Sequence, residues 1–285
     1  MDLGFDFDFR TRPVRGEPGR AVEQVWFARG TVPYRSELIA PTGSTVAILI
    51  LGDSITQTAA SGVEVTSAEG LVIGPHTAPI TNAPYGETFA VGIVTTAVGC
   101  EALLGHRPAG LRGRIVDLAT GAPSLVELRA ALAVRRADDP EALLDAVEHR
   151  VAELVNLDVP GLGRVEGAVA SLVAAPRRSI QDLAQEVGVS HAHLDREFSR
   201  IVGLRPRELA RLLLLRRLIE GLDPLADVPW ASVAADGGWS DQAHFTRDFT
   251  RHTGLSPRRY LQVQRSFALE GNAGPGFSPD VEAPR

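Results

Sequence analysis

The sequence predicts an α+β chain in two parts: an antiparallel β-barrel with flanking helices, then an all-α domain in which two helix-turn-helix units are joined by a long helix. Three observations carry that expectation. Between about Val22 and Thr96, short runs rich in β-branched residues alternate with Gly, Pro and Asn, the mark of strands separated by tight turns. From about Gly99 onward, apolar residues recur at spacings of three and four, which gathers them on one stripe of a helix. In the last third, HLDREFSRIVGLRPREL from His193 realigns with HFTRDFTRHTGLSPRRY from His244 at a constant offset of 51 residues, so one supersecondary unit is used twice.

The strand candidates are TVAILILGD from Thr45, VEVTS from Val63, GLVIGP from Gly70 and TFAVGIVTT from Thr88. Helices are expected at PSLVELRAALAV from Pro123 and PEALLDAVEHRVAELV from Pro140. The second opens on Asp138 and Asp139, with proline in its first turn. VPGLG, Val159 to Gly163, reads as a linker. Residues 1–158 are therefore expected to form the barrel domain and 164–268 the helical domain, with 269–285, rich in Gly and Pro, a disordered tail.

Within the helical part, Ser179 and Asp182 read as a capping box for a helix stopped at Gly188, and Ser190 caps the next, which runs to about Val202 before Gly203. Pro206 begins the long helix RELARLLLLRRLIEGL. The arrangement then recurs with PWASVAAD from Pro229, a turn at Gly237 and Gly238, a helix capped by Ser240 or Asp241, a stop at Gly254 and a last helix at Pro257.

Length and charge bound the function. A chain of 285 residues can bury two cores. Its net charge of −6 hides a gradient: residues 1–163 carry 13 Arg against 20 acids, and 164–268 carry 15 Arg against 12, in a sequence with no Lys. That balance fits a basic nucleic-acid-binding domain beside an acidic sensor or interaction domain, and argues against indiscriminate coating of nucleic acid. The single Cys100 excludes an internal disulfide and a multi-cysteine zinc site, and it fits a reducing cytoplasm. MDLGFDFDFRTRP lacks the features of a secretion signal, and no apolar run reaches about 18 residues, so a soluble cytoplasmic protein with no membrane partner is expected. No nucleophile elbow, phosphate loop, metal spacing or carboxylate pair suggests an enzyme or a cofactor.

The repeat points to double-stranded DNA. In each unit a short helix and a glycine turn precede a helix of about three turns, a geometry that holds the second helix proud of the surface for a major groove. Leu194, Phe198 and Ile201 make the inward stripe of the first such helix, leaving His191, Ala192, Asp195, Arg196 and Ser199 outside. Phe245 and Phe249 do so in the second, leaving Gln242, Ala243, Thr246, Arg247 and Thr250. Arg suits guanine, Gln suits adenine, and small residues admit thymine methyls. The base-reading candidates are thus His191, Ala192, Asp195, Arg196, Gln242, Ala243, Thr246 and Arg247. Asp195 opposes phosphate unless it accepts from cytosine or pairs with Arg196. His193 and His244 read as packing positions. Phosphate contacts are expected from Arg205, Arg207, Arg258 and Arg259, together with backbone amides at the helix starts after Gly203 and Gly254.

In LAQEVGVSHAHLDREF from Leu183 and GWSDQAHFTRDFTRHTGLSPRRY from Gly238, the chain resembles the AraC/XylS family of transcription regulators over about residues 162–266. Trp239 stands where that family commonly has Phe, and Leu261 where an Arg often follows the Tyr. The resemblance implies a cupin-like barrel ahead of the DNA-binding domain, acting as a ligand sensor or dimerisation domain. Trp26, Tyr34, His76, Tyr85 and Phe89 are the candidates for an effector pocket, with an ordinary barrel core as the other reading. His76 is the only His of the barrel region, so no metal is expected there. RNA polymerase is a further candidate partner, and so is a second copy of the chain through the helices from Leu125 to Val155, with covering the barrel as the other reading of those helices. A barrel enzyme with an appended DNA-binding domain and an interaction adaptor are the competing functions.

Overall fold

The computed structural model describes residues 6–135, 139–268 and 276–280. Two antiparallel sheets face one another. The first has the order β1 (Asp6–Pro13), β2 (Val22–Thr31), β9 (Thr88–Thr95), β4 (Val46–Ile50), β7 (Gly70–Ile73) and β10 (Ile115–Asp117). The second runs β11 (Phe277–Pro279), β3 (Glu37–Ile39), β8 (Ile80–Pro84), β5 (Ile55–Thr58) and β6 (Glu64–Ser67).

Side-chain alternation explains why β4, β7 and β9 of the first sheet read as unbroken apolar runs. Ile48, Ile50, Leu71, Ile73 and Ala90 point between the sheets to meet Ile55 and Ile80. Their neighbours Ala47, Leu49, Val72, Val91 and Ile93 point the other way, onto the helices α1 (Gly99–Leu104), α3 (Leu118–Gly121), α4 (Val126–Arg135) and α5 (Pro140–Leu154). A strand covered on both faces has no polar side to show. Gly92 is required where it stands, because a Cβ there would lie 2.0 Å from the Trp26 ring. Asp139 caps α5 by accepting from the Glu141 amide, as its sequence suggests, while Asp138 lies outside the described residues.

The helical part comprises α6 (Leu162–Ala174), α7 (Ile180–Glu186), α8 (His191–Ile201), α9 (Pro206–Glu220), α10 (Trp230–Asp236), α11 (Gln242–Thr253) and α12 (Pro257–Ala268). Two expectations are corrected. The linker read at 159–163 is packed: Val159 touches both the barrel-side core and the first helical core, and a helix that the sequence reading passed over, α6, starts at Leu162 after Gly161 at φ +81°. The tail read as disordered from 269 contains β11, paired with β3 through Phe277, Ser278 and Pro279. The Phe277 carbonyl also accepts from Gln264 of α12. Residues 269–275 and 281–285 of that tail lie outside the described residues.

Both units dock on the sheets. Val98 joins the aliphatic core of the first unit, and α2 (Pro108–Leu111) packs on α8. Arg20 pairs with Glu166 at 2.7 Å and Arg112 with Glu208 at 2.6 Å. Val263 of the second unit meets Val32 and Tyr34. The 74–79 loop reaches both units at repeat-equivalent glycines: added Cβ atoms at Gly203 and Gly254 would lie 3.1 Å from Pro75 and 3.2 Å from Pro79.

His252, two residues before that second glycine, is 2% exposed with its Nδ1 unpartnered, and the Nε2 of His76 on the loop is likewise buried and unpartnered. The repeat-equivalent residue is Ile201. Burial, reinforced by His76, lowers the His252 imidazole from 6.5 to about 4, so the folded chain holds it neutral while the unfolded chain protonates it. Stability should therefore be full above about pH 6.5 and decline as pH falls toward 4, by up to ~3 kcal/mol. Urea unfolding across that range should show the decline, and His252→Ile should flatten it.

A candidate nucleic-acid interface on two anchored helices

Helices α8 and α11 begin alike. Ser190 Oγ accepts from the His193 amide and Asp241 Oδ1 from the His244 amide, which settles the second cap on Asp241 over Ser240. Each helix buries its apolar stripe completely: Leu194, Phe198 and Ile201 in one, Phe245 and Phe249 in the other. Around Phe245 and Phe249 the second unit packs Trp230, Trp239 and Tyr260, with ring centroids 5.0 to 6.0 Å apart. The first unit fills the same place with aliphatic side chains around Phe198.

The outward sets land as the sequence suggests. His191, Ala192 and Arg196 on α8, and Gln242, Ala243 and Arg247 on α11, are exposed, with Asp195, Ser199, Thr246 and Thr250 partly so. Among the described residues Asp195 has neither hydrogen bond nor ion pair, so the pairing with Arg196 does not form. Its charge faces outward uncompensated.

What holds each helix in place is a carboxylate one turn along from the aligned histidine, a feature the sequence reading missed. On α8, Glu197 accepts from Arg164 of α6 at 3.0 Å through both oxygens, with His193 Nε2 at 3.4 Å. On α11, Asp248 contacts Arg211 of α9, accepts from the Trp239 indole N–H at 3.1 Å and has His244 Nε2 at 3.4 Å. The two carboxylates are 15% and 12% exposed, so water screens these pairs only in part. His193 and His244 thus belong to polar anchors rather than to apolar packing. Glu197 and Asp248 occupy repeat-equivalent positions, a signal present in the alignment, whereas their arginine partners sit on other helices.

The phosphate candidates are differently placed. Arg205, Arg207 and Arg258 are exposed and Arg259 partly so, bonded to Gln262 at 3.1 Å. At the start of α9, where backbone amides are expected to meet phosphate, Glu208 Oε2 accepts from the Arg205 amide at 2.8 Å and Pro206 has no N–H. The Arg205 and Arg207 side chains are exposed beside that end.

The five effector-pocket candidates do not converge. Trp26 lies between the sheets and Phe89 on the opposite face of the first sheet, because successive residues of paired strands alternate sides. Tyr34 donates to Glu37 at 3.0 Å beside α12, His76 sits at the docking loop, and Tyr85 is 68% exposed. Next to Tyr34, Glu37, Asn82 and Gln57 form a hydrogen-bonded row across the second sheet, and burial raises the Glu37 carboxyl above its usual range against the two bonds that lower it. Among the described residues, no three His, Cys, Asp or Glu side chains gather as a metal site, and no helix is long and apolar enough to cross a membrane.

Residues 183–262 match a family model described as a helix-turn-helix domain. No curated protein matches the chain. Among solved structures, ToxT from Vibrio cholerae is 12% identical with a TM-score of 0.47, over 89% of this chain and 98% of that one. ToxT solved with unsaturated fatty acid bound is 11% identical with a TM-score of 0.45, over 90% and 94%. A transcriptional regulator of the AraC-type DNA-binding-domain group from Chromobacterium violaceum is 26% identical with a TM-score of 0.32, over 36% of this chain and 93% of that one.

The indole bond accounts for Trp at position 239. Trp239→Phe keeps the aromatic packing and removes the donor to Asp248, so thermal or urea unfolding should show a loss of about 1 kcal/mol. Its double-mutant cycle with Asp248→Asn should show coupling between the two.

Proposed function

We propose that this chain is a DNA-binding transcription regulator of the AraC/XylS type, in which α8 and α11 read two successive major-groove segments on one face of the duplex. The observation that carries this reading is the repeat itself, two outward sets at matching positions, each fastened to the domain by its own carboxylate anchor. Helix α9 contributes to both units' cores and spans about 22 Å at 1.5 Å per residue. A rigid brace of that length suits recognition helices that enter grooves about 34 Å apart.

Gln242 and Arg247 make α11 the stronger reader, through adenine and guanine contacts respectively. On α8, Arg196 reads a base while Asp195 opposes the backbone. The exposed arginines of α9 and α12 supply affinity without sequence choice. The amino-terminal sheets, docked on both units, are the domain through which a small-molecule effector governs that reading, in the cytoplasm and without catalysis. RNA polymerase and a second copy of the chain complete its partners.

Mobility shift on the chain's own upstream region tests the reading, and the absence of any sequence-specific shift at low salt would sink it. Arg247→Ala should cost about 1 to 3 kcal/mol and relax preference at particular base pairs, whereas Arg258→Ala should weaken all sequences alike and flatten the salt dependence. Equal, sequence-blind losses would contradict the assigned roles. Asp195→Asn should tighten binding to every duplex, and a selective loss at one base pair would instead make Asp195 a cytosine reader. Effector control is tested by a thermal-shift screen of small molecules on the full chain.

A further inference from the structure

An open groove of about 960 Å³ lies between the two units. One wall is formed by α7, from Ile180 to Gln185, and the start of α8 at His191; the floor is α9, with Arg207 and Arg211; the opposite rim is the turn between α10 and α11, at Gly237 and Gly238. Arg177 and Arg178, just ahead of α7, complete the lining, and no Asp or Glu lines it at all. Four arginines around one acid-free groove stand out in a chain of net charge −6.

The four charges are not equally spent. Arg178 is paired with Glu186 at 2.5 Å, and Arg211 with Asp248. Arg177 donates only to a neutral group, the Asp236 carbonyl, at 2.7 Å, and Arg207 has no hydrogen bond or ion pair among the described residues. Two uncompensated cations therefore face the groove. The turn is shaped for one of them: Gly238 has φ +77°, and a Cβ there would come within 2.8 Å of the Arg177 guanidinium.

We propose that this groove is a phosphodiester site, which grips the DNA strand that crosses between the two recognition helices through Arg177 and Arg207. The inference rests on the reading of α8 and α11 as groove-entering helices. With their starts on opposite sides of the groove, the backbone bordering the intervening minor groove passes over it. Phosphate contacts there set the register of both helices at once and carry no sequence information.

The test uses the full chain and a mixed-sequence duplex of about 30 base pairs, titrated between 50 and 200 mM salt. Because each neutralised phosphate contributes about 0.9 to the slope of log K against log salt, Arg207→Ala should lower the slope by about 0.9 and Arg177→Gln/Arg207→Ala by about 1.8. Arg10→Ala, on the far sheet, should leave it unchanged. Arg207→Ala removes no contact within the chain, so its slope is readable even if the double variant folds poorly. Failure of the unaltered chain to bind any duplex would overturn the DNA-reading function on which the site depends. An unaltered slope in Arg207→Ala would overturn the groove alone. A third arm separates the sources of phosphate: if ATP raises the melting temperature of the parent chain but not of the double variant, while the DNA slopes agree, the groove serves a free nucleotide and the proposal falls.

Discussion

The carboxy-terminal half of this protein depends on one helix belonging to two cores. Leu209, Ala210 and Leu212 of α9 are buried in the first unit, and Leu215 and Ile219 in the second. Close-packed interiors transmit displacement instead of absorbing it, so the angle and spacing of the two units are set by the side chains of a single 15-residue segment. The arginines that alternate with those leucines face outward, where Arg207 and Arg211 line the groove and Arg216 reaches Glu23 of the sheet domain. The same helix therefore fixes geometry with one side and distributes charge with the other.

The two units share a plan without sharing a strength. The second is built around clustered aromatic rings and a carboxylate with four polar neighbours. The first is aliphatic, and its anchor is a simpler ion pair from α6. The repeat-equivalent arginines differ too: Arg251 is 71% exposed, whereas Arg200 is held by Glu101 of α1 and the Pro160 carbonyl. Helix α8 is thus tied to the sheet domain through its own last turn.

Much of this was legible in the residues. Strands β4, β7 and β9 of the first sheet declared themselves because burial on both faces leaves unbroken apolar runs, whereas β1, β2 and β10 of the same sheet were not among the candidates, and the repeat was visible because each unit needs the same buried phenylalanine, cap and glycine stop. Helix α6 was not, although Leu162, Val165, Ala168 and Leu172 have helical spacing. Gly161, Gly163 and Gly167 punctuate the segment, and two of them sit within the helix against open space, so local propensity and tertiary burial point in opposite directions. The anchors were half legible: alignment pairs Glu197 with Asp248, but Arg164 and Arg211 come from elements with no periodic relation to them. The proposed aromatic pocket was not supported by placement, because a list of aromatic residues says nothing about which face of a strand each one occupies.

The return of the chain end to the sheet domain has a consequence for motion. Strand β11 lies beyond the last helix of the DNA-binding part yet pairs with β3, and the Gly276 amide ahead of it donates to the Tyr260 hydroxyl at 3.1 Å. The polypeptide therefore closes a loop in space, crossing from sheets to helices at one place and coming back at another. A body joined by the chain at both its ends has lost most of the freedom of one on a single tether. Any displacement between the halves is confined to a narrow arc, a difference of degree in how α8 and α11 are presented.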